Sequence, residues 1–179
     1  MKLRHGGFGM VEVLVALLVT MIGLLGMAGL QGRALTVQME AYQRAQAIVI
    51  AKDMVARINA NRGNASSYAT VAPLGTAHND SAVLDCTGLV GQALDACAWH
   101  NLLLGAMETE SGANVGAMIG ARGCVTYSAG PPEQLLVSVA WQGLTPSAVA
   151  TVACGAGEYG DEELRRVISI PITIANLEP

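Results

Sequence analysis

One carboxylate, Glu12, is the most unusual chemical feature of this sequence. The run from Phe8 to Leu30 has 23 residues, and Glu12 is its sole charged residue. A charge of this kind at the centre of a bilayer costs about 2.5–3.5 kcal/mol on insertion scales. Because the run has no basic residue, Glu12 needs a partner from elsewhere or stays protonated. The sequence therefore predicts either an ion pair with another molecule inside a membrane or a protonated carboxyl group.

The four cysteines and three histidines are the other reactive residues. Four cysteines suit two disulfides if the chain leaves the cytosol. They permit three pairings, and we predict Cys86–Cys97 and Cys124–Cys154 because each pair lies within one structural unit. Cys86, Cys97 and His100 have no recognised zinc spacing. We therefore expect neither a metal nor a cofactor.

No catalytic motif accompanies these residues. His5 lies in the N-terminal leader, and His78 and His100 have no recognised catalytic spacing. The sequence has no G-x-S-x-G, Walker or dinucleotide-binding motif. We therefore expect that the protein is not an enzyme.

The composition excludes two classes of protein. Of the 179 residues, 52% are apolar and 13% are charged, whereas disordered chains are poor in apolar residues and rich in charge. The net charge is −4 and aromatic residues are 4%, so the chain lacks the basic excess and the stacking surfaces of nucleic-acid binders. Residues 63–179 have three arginines against eleven acidic residues. This distribution suggests a short basic leader, an apolar stem and an acidic head.

The apolar run is long enough to cross a bilayer as a helix. Lys2 and Arg4 precede it and favour a cytoplasmic N-terminus, although Arg33 weakens that bias. A secretory signal peptide is the alternative, but its apolar core is shorter and a cleavage site follows it. Here the residues after the run continue a helical pattern. A single membrane anchor is the better interpretation.

The segment Gly7-Phe8-Gly9-Met10-Val11-Glu12, followed by this helix, resembles the class III signal of type IV pilins and type II secretion pseudopilins. The resemblance implies that a prepilin peptidase cuts after Gly7 and N-methylates Phe8. It also implies that Glu12 acts in assembly, where the Phe8 amine of one subunit approaches Glu12 of its neighbour. Alternatively, Glu12 only stabilises the start of the helix, where an acid is favoured. The two roles are compatible.

The helix is expected to continue beyond the membrane. Its glycines mark either a soft stretch or close packing in the membrane: Gly23, Gly26, Gly29 and Gly32. A second half with an apolar stripe follows, with a helix stop and a left-handed cap at Gly63. The expected stripe is Ala41, Ala45, Ile48, Ala51, Val55 and Ile58, with Gln43, Gln46, Asp53 and Arg57 opposite. We expect a leader at 1–7, a transmembrane helix at 8–30, its amphipathic continuation at 31–62 and a head at 63–179.

The head is predicted to be α+β. The stretch 63–83 is typical of an irregular loop, and an apolar pattern predicts a helix from Leu89 to Met107 with Trp99 as a core anchor. A period of two predicts strands at 115–119, 123–128, 135–141, 149–154 and 166–174. Pro171 indicates an edge strand or a strand break. An antiparallel sheet packed on the long helix is the expected pilin fold.

Within the family, the head resembles that of the minor pilins called type IV pilus modification protein PilV. The resemblance is in Asp95–Trp99, in the strand Val137–Trp141 and in the late Arg-Arg-Val-Ile strand. It implies a subunit that primes pilus assembly and joins the tip complex. The implied partners are other minor pilins, the major pilin and the inner-membrane assembly platform. The implied location is the inner membrane with a periplasmic head, and later the pilus.

Two alternatives remain open. A minor pseudopilin of a type II secretion system would have the same signal. A membrane-anchored periplasmic binding module would differ, because it would not be processed between Gly7 and Phe8.

Overall fold

The computed structural model describes residues 9–106, 109–111, 113–114 and 118–175. Two α-helices are present there, α1 (Met10–Ala60) and α2 (Gly91–Leu103). Short 3-10 helices occupy Arg62–Tyr68, His78–Ser81 and Glu162–Leu164. The chain divides into two compact units, one up to Met39 and one from Glu40 onward.

A four-stranded antiparallel sheet forms most of the second unit. Its order is β1 (Leu74–Gly75), β4 (Arg122–Ser128), β5 (Glu133–Gln142) and β6 (Arg165–Ile174). A separate pair consists of β2 (Thr109–Glu110) and β3 (Ala113–Asn114). A long N-terminal helix followed by this sheet is the predicted α+β, pilin-like architecture.

The core lies between the sheet and the C-terminal part of α1. Val137, Val139 and Trp141 alternate along β5 and are all buried, as their period of two predicts. Trp99 of α2 is fully buried, and its indole N–H donates to the Ile50 carbonyl of α1 at 2.9 Å. Trp99 is therefore the predicted core anchor, and it joins the two helices.

The predicted buried stripe of α1 is only partly correct. Ala51 and Ile58 are buried, but Ala41 and Ala45 are exposed, and Gln43 is buried instead. The residues buried in the structure are Gln43, Ala47, Ile50, Ala51, Met54 and Ile58. A helix this rich in small apolar residues has two candidate faces, and the sheet covers the face that carries Ile50 and Met54.

The end of α1 agrees with the prediction, but its cap does not. The helix stops at Ala60, and a 3-10 helix continues the chain without any positive φ at Gly63. That 3-10 helix buries Ala65 and Tyr68. Part of the expected loop at 63–83 is therefore ordered by burial of Tyr68.

Three predicted strands are confirmed as β4, β5 and β6, and the segment 149–154 is not a strand. The Arg165 guanidinium binds the carbonyls of Ala150, Val152 and Cys154. These oxygens are satisfied by a side chain, so the segment needs no neighbouring strand. Of the strand expected at 115–119, residues 115–117 lie outside the described part, and 118–119 are not strand.

Pro171 lies on the edge strand, which is one of the two positions that the sequence allows. The Gln142 N–H donates to Ile119 O, on the β4 side of β5. Backbone direction alternates along an antiparallel ladder, so Leu136 also faces β4. Its partner Pro171 then faces away from β5. The missing N–H of Pro171 costs no bond of the ladder.

Candidate functional site

Glu12 lies in the first turn of α1, where the Glu12 and Val13 N–H groups donate to the Gly9 carbonyl. Its side chain is exposed. Within the described residues, the Glu12 carboxylate has neither a hydrogen bond nor a salt bridge in this single chain. Gly7 and Phe8, the predicted cleavage and methylation sites, lie outside the described residues.

The helix that carries Glu12 is long and apolar enough to cross a membrane. Its most apolar 18-residue window has a mean hydropathy of 2.5, and none of that window is buried. The helix is continuous through its glycines, and a Cβ added to Gly23, Gly26, Gly29 or Gly32 would contact nothing. These features are consistent with a single membrane anchor.

The second half of α1 is joined to α2 by a charged cluster. The Arg57 guanidinium donates to Asp53 at 2.6 Å and to Asp95 of α2 at 3.0 Å. The Tyr68 hydroxyl donates to the other Asp95 oxygen at 2.6 Å and accepts from Asn61 at 3.2 Å. Asp95 therefore links α1, α2 and the 3-10 helix between them.

His100 fixes the segment before α2. Its ring is fully buried, and its Nδ1 accepts from the Gly75 N–H at 3.0 Å. Since Nδ1 is an acceptor, Nε2 carries the proton and donates to the Ala82 carbonyl at 2.9 Å. Burial lowers the pKa of His100, and the nearby His78 acts in the same direction. His100 is a neutral structural side chain here.

The structure has the two disulfides that the sequence predicts, Cys86–Cys97 and Cys124–Cys154. The first ties the segment before α2 to that helix. Cys97 is thus engaged with Cys86 and both nitrogens of His100 with backbone. Within the described residues, no group of three or more potential ligands is placed to hold a metal.

The second disulfide belongs to a loop at 143–164 that arginines hold in place. Arg165 is buried and binds three loop carbonyls as well as Glu162. Arg122 is also buried, and its guanidinium pairs with Glu158 and lies 4.8 Å from the centre of the Tyr159 ring. Charge-assisted bonds to carbonyls and carboxylates are among the strongest in proteins.

Glu40 attaches the same loop to α1. One carboxylate oxygen accepts from the Thr145 N–H at 3.0 Å, the Thr145 hydroxyl at 2.7 Å and the Leu144 N–H at 3.2 Å. Arg166 lies 3.5 Å from the same oxygen. Glu40 is the first residue of the second unit, so this cluster is where α1 enters the head.

Sequence reasoning missed the roles of Glu40, Arg122, Arg165 and Arg166. The only signal was compositional: residues 63–179 have three arginines, and two of them are adjacent at the start of the last strand. In the structure all three arginines bind groups of the head. Cationic side chains that are this scarce and next to buried strands are candidates for internal pairing.

A comparison with protein families agrees with this architecture. Residues 29–100 match the family model described as Tt1218-like, type IV pilin Tt1218. The match runs from the end of the apolar stretch through the second half of α1 to α2. No curated protein and no solved structure matches the chain. The family match supports a type IV pilin-like protein and a pilin role.

Proposed function

We propose that this protein is a minor pilin of a type IV pilus, cut after Gly7, N-methylated at Phe8, and active in priming and in the tip complex. The observation that carries the proposal is Glu12, a lone carboxylate in an exposed apolar half-helix directly after Gly7-Phe8. A membrane anchor alone does not need this residue, because a charge there opposes insertion. A helix that must dock in register beside another subunit does need such a charged residue.

The physical basis is pairing between subunits. Cleavage creates an α-amino group at Phe8, whose ordinary pKa is about 7.7–8.0, and it remains cationic when methylated. In a bundle of helices this amine can reach Glu12 of the neighbouring subunit. Two opposite charges in a low dielectric attract strongly, and either one left unpaired is penalised. Pairing therefore favours one register for the incoming subunit.

The head suits a subunit at the end of a fibre. Two disulfides and buried arginines fix loops of the head within the chain itself. A head that differs from the major pilin fits an end position, where lateral contacts need not repeat. The proposed partners are the prepilin peptidase, other minor pilins, the major pilin and the inner-membrane assembly platform.

The central test separates processing from assembly. Glu12→Gln keeps the size of the side chain but removes its charge, and Glu12→Val inserts easily but attracts no amine. Both variants should be cut at Gly7 and should reach sheared fibres less efficiently than wild type. The ratio of protein in fibres to protein in the inner membrane measures this, and intact mass reports processing.

The matched control is Glu163→Gln, which removes an exposed carboxylate of the head and should leave the ratio unchanged. Wild-type incorporation of both Glu12 variants would contradict the pairing. An uncut Met1 terminus in cells with active peptidase would contradict the proposal as a whole. Gly7→Ala, or a bulkier residue, should keep the leader attached and the protein in the membrane.

A minor pseudopilin of a type II secretion system is the remaining candidate, because its signal and anchor have the same chemistry. The match to a type IV pilin model favours the pilus. Purification of the membrane-anchored protein with its partners distinguishes them: minor pilins support the pilus, and secretion components support the alternative.

A further inference from the structure

The two disulfides of the head lie in different surroundings. Cys124 and Cys154 are both buried, with 8% and 6% of their surface exposed. The other disulfide joins Cys97 of α2, which is 6% exposed, to Cys86, which is partly exposed. Cys86 is followed by four exposed residues, 87–90, that belong to no helix or strand. Since exchange needs a thiolate to reach a disulfide sulfur, Cys86 is the cysteine that a thiol in solution can approach.

The Cys124–Cys154 bond is shielded on both of its sides. Cys124 lies in β4, an inner strand of the sheet, and the bond packs against Ala140 and Tyr159. The loop that contains Cys154 is held to β6 by the Arg165 guanidinium, which donates to the Cys154 carbonyl at 3.2 Å. A thiolate would reach these sulfurs only after the loop had separated from the sheet.

The segment before Cys86 is attached to α2 independently of its disulfide. The Asn101 side-chain oxygen accepts from the Leu84 N–H at 2.9 Å, and the Asn101 amide donates to the Leu84 carbonyl at 2.9 Å. The donation from His100 described above holds the same segment two residues earlier. After the disulfide opens, these bonds keep Cys86 close to Cys97, so the pair can close again.

We propose that Cys86–Cys97 is a thiol–disulfide exchange site that a dithiol opens reversibly, whereas Cys124–Cys154 stays closed. A thiolate of the dithiol attacks the Cys86 sulfur, and the electron pair of the broken bond goes to Cys97, which takes a proton from water. The second thiolate of the dithiol then attacks the dithiol sulfur that is bonded to Cys86. Cys86 leaves as a thiolate and is protonated. The dithiol is thereby oxidised to a disulfide by two electrons, and the cysteine pair is reduced.

Asn101 is the positioning residue of this site. Besides holding Leu84, its amide donates to the Cys86 sulfur at 3.6 Å. A thiolate is a stronger acceptor than a sulfur in a disulfide, because hydrogen bonds to charged groups are the stronger ones. The same amide therefore stabilises Cys86 when it leaves as a thiolate in the second step.

The change on reduction is local. The exposed residues 87–90 and the first turns of α2 lie between the two cysteines, so they lose their covalent tie while the sheet and the second disulfide remain. The inference goes beyond the proposed function, because neither cleavage at Gly7 nor pairing of Glu12 enters it. Failure of one leaves the other standing, since exchange is measured on the purified protein and incorporation is measured in fibres.

The experiment follows both disulfides of the purified, folded full chain in detergent micelles during reduction by dithiothreitol. Samples are quenched and alkylated, and peptide mass analysis reports each cysteine. Cys86 and Cys97 should become alkylated at least about tenfold faster than Cys124 and Cys154, because access to the sulfur limits exchange. In denaturant the two bonds should open at similar rates. Hydrogen exchange should rise after reduction at 87–94 and stay unchanged in β4, β5 and β6.

A second arm replaces dithiothreitol by reduced thioredoxin, which is a protein dithiol. Opening by both reagents assigns protein dithiols to the site, and opening by dithiothreitol alone assigns small dithiols. Equal rates for the two disulfides in the folded chain would overturn the proposal. It would also be overturned if neither bond opened before the head unfolded.

Variants test the positioning role. In a buffer of reduced and oxidised dithiothreitol, Asn101→Ala should shift the cysteine pair toward its open form by about fivefold, because the bonds that hold Cys86 near Cys97 are lost. The matched control, Asn64→Ala, removes an exposed asparagine elsewhere in the head and should leave this equilibrium unchanged. Thermal unfolding checks that both variants are folded. An equilibrium that Asn101→Ala leaves at the wild-type value would contradict the role of Asn101.

Discussion

The two halves of α1 are built for different surroundings. From 10 to 39 every side chain except Thr36 is exposed in this single chain, and most of the large ones are aliphatic. From 40 to 60 one face is buried against the head, and polar residues bind defined partners. Within the described residues, Glu12 has no hydrogen-bonding or charged partner for its side chain in this single chain, whereas Arg57 binds Asp53 and Asp95.

The difference explains why the first half is the easier one to interpret. A span of apolar residues with one carboxylate constrains function through the cost of burying charge in lipid, whatever the head looks like. The second half has two faces that could be buried, and which of them is buried depends on groups far away in sequence. Ile50 is buried, and the indole N–H of Trp99, 49 residues further along the chain in α2, donates to its carbonyl.

The largest loss of stability should come from removing the contact between α2 and the second half of α1. Trp99→Ala removes the fully buried ring that joins α2 to α1, and large-to-small changes of this kind cost about 3–5 kcal/mol. We expect a matching loss of head stability, measured by thermal unfolding of the full chain in detergent with near-ultraviolet circular dichroism.

Gly29→Ala is the matched change in the first half. A Cβ there contacts nothing, so unfolding of the head should be unchanged. An equal shift for both variants would show that the two halves do not behave independently.

Trp99 also shows how far sequence reasoning reaches. Its role as a core anchor follows from being a large apolar ring within a helical pattern. The need for a glycine beneath the Trp99 ring does not follow from the sequence. A Cβ at Gly123 would collide with the Trp99 ring and with Leu103, and nothing in the local pattern of β4 indicates this. Close approach between distant segments is a property of the packed fold.

The disulfides and the loop at 143–164 show the same division. The cysteine pairs are predicted by keeping each pair within one structural unit of the head, and the structure has both. The alternation of Val149 to Cys154 predicts a strand, yet Arg165 binds the carbonyls there. A local pattern cannot show that a buried guanidinium replaces a neighbouring strand as the donor.

An intermediate effect is expected at the link between the helices. Asp95→Asn keeps the shape of the side chain but removes the charge that Arg57 and Tyr68 share. Loss of a charged, partly buried hydrogen-bonding partner should cost roughly 1–3 kcal/mol. Chemical denaturation of the full chain in detergent measures this.

A double-mutant cycle with Arg57→Gln isolates the pair. The double variant should lose less than the sum of the single changes, because each single change already breaks the same link. If the free-energy changes of the two single variants add exactly in the double variant, the effect of Asp95→Asn does not arise from its pairing with Arg57.

The smallest effect, and the most specific to the head, is a dependence on pH from His100. Burial lowers the pKa of His100 below its ordinary value of 6.5, so the folded state binds a proton less readily than the unfolded state. Its contribution to stability is therefore fully present above pH 6.5 and declines as the pH falls below that value. Protonation would also place a donor at Nδ1, where the Gly75 N–H already donates. We expect the thermal midpoint of the head to fall between pH 7 and pH 5, while the helicity of the first half of α1 does not change.

His100→Gln retains a donor for Ala82 and His100→Asn retains an acceptor for Gly75, and neither titrates in this range. Both variants should lose most of this pH dependence even if their stability at pH 7 is lower, whereas His78→Gln should reduce it only slightly. If the fall persists in both His100 variants, the acid sensitivity arises elsewhere in the head.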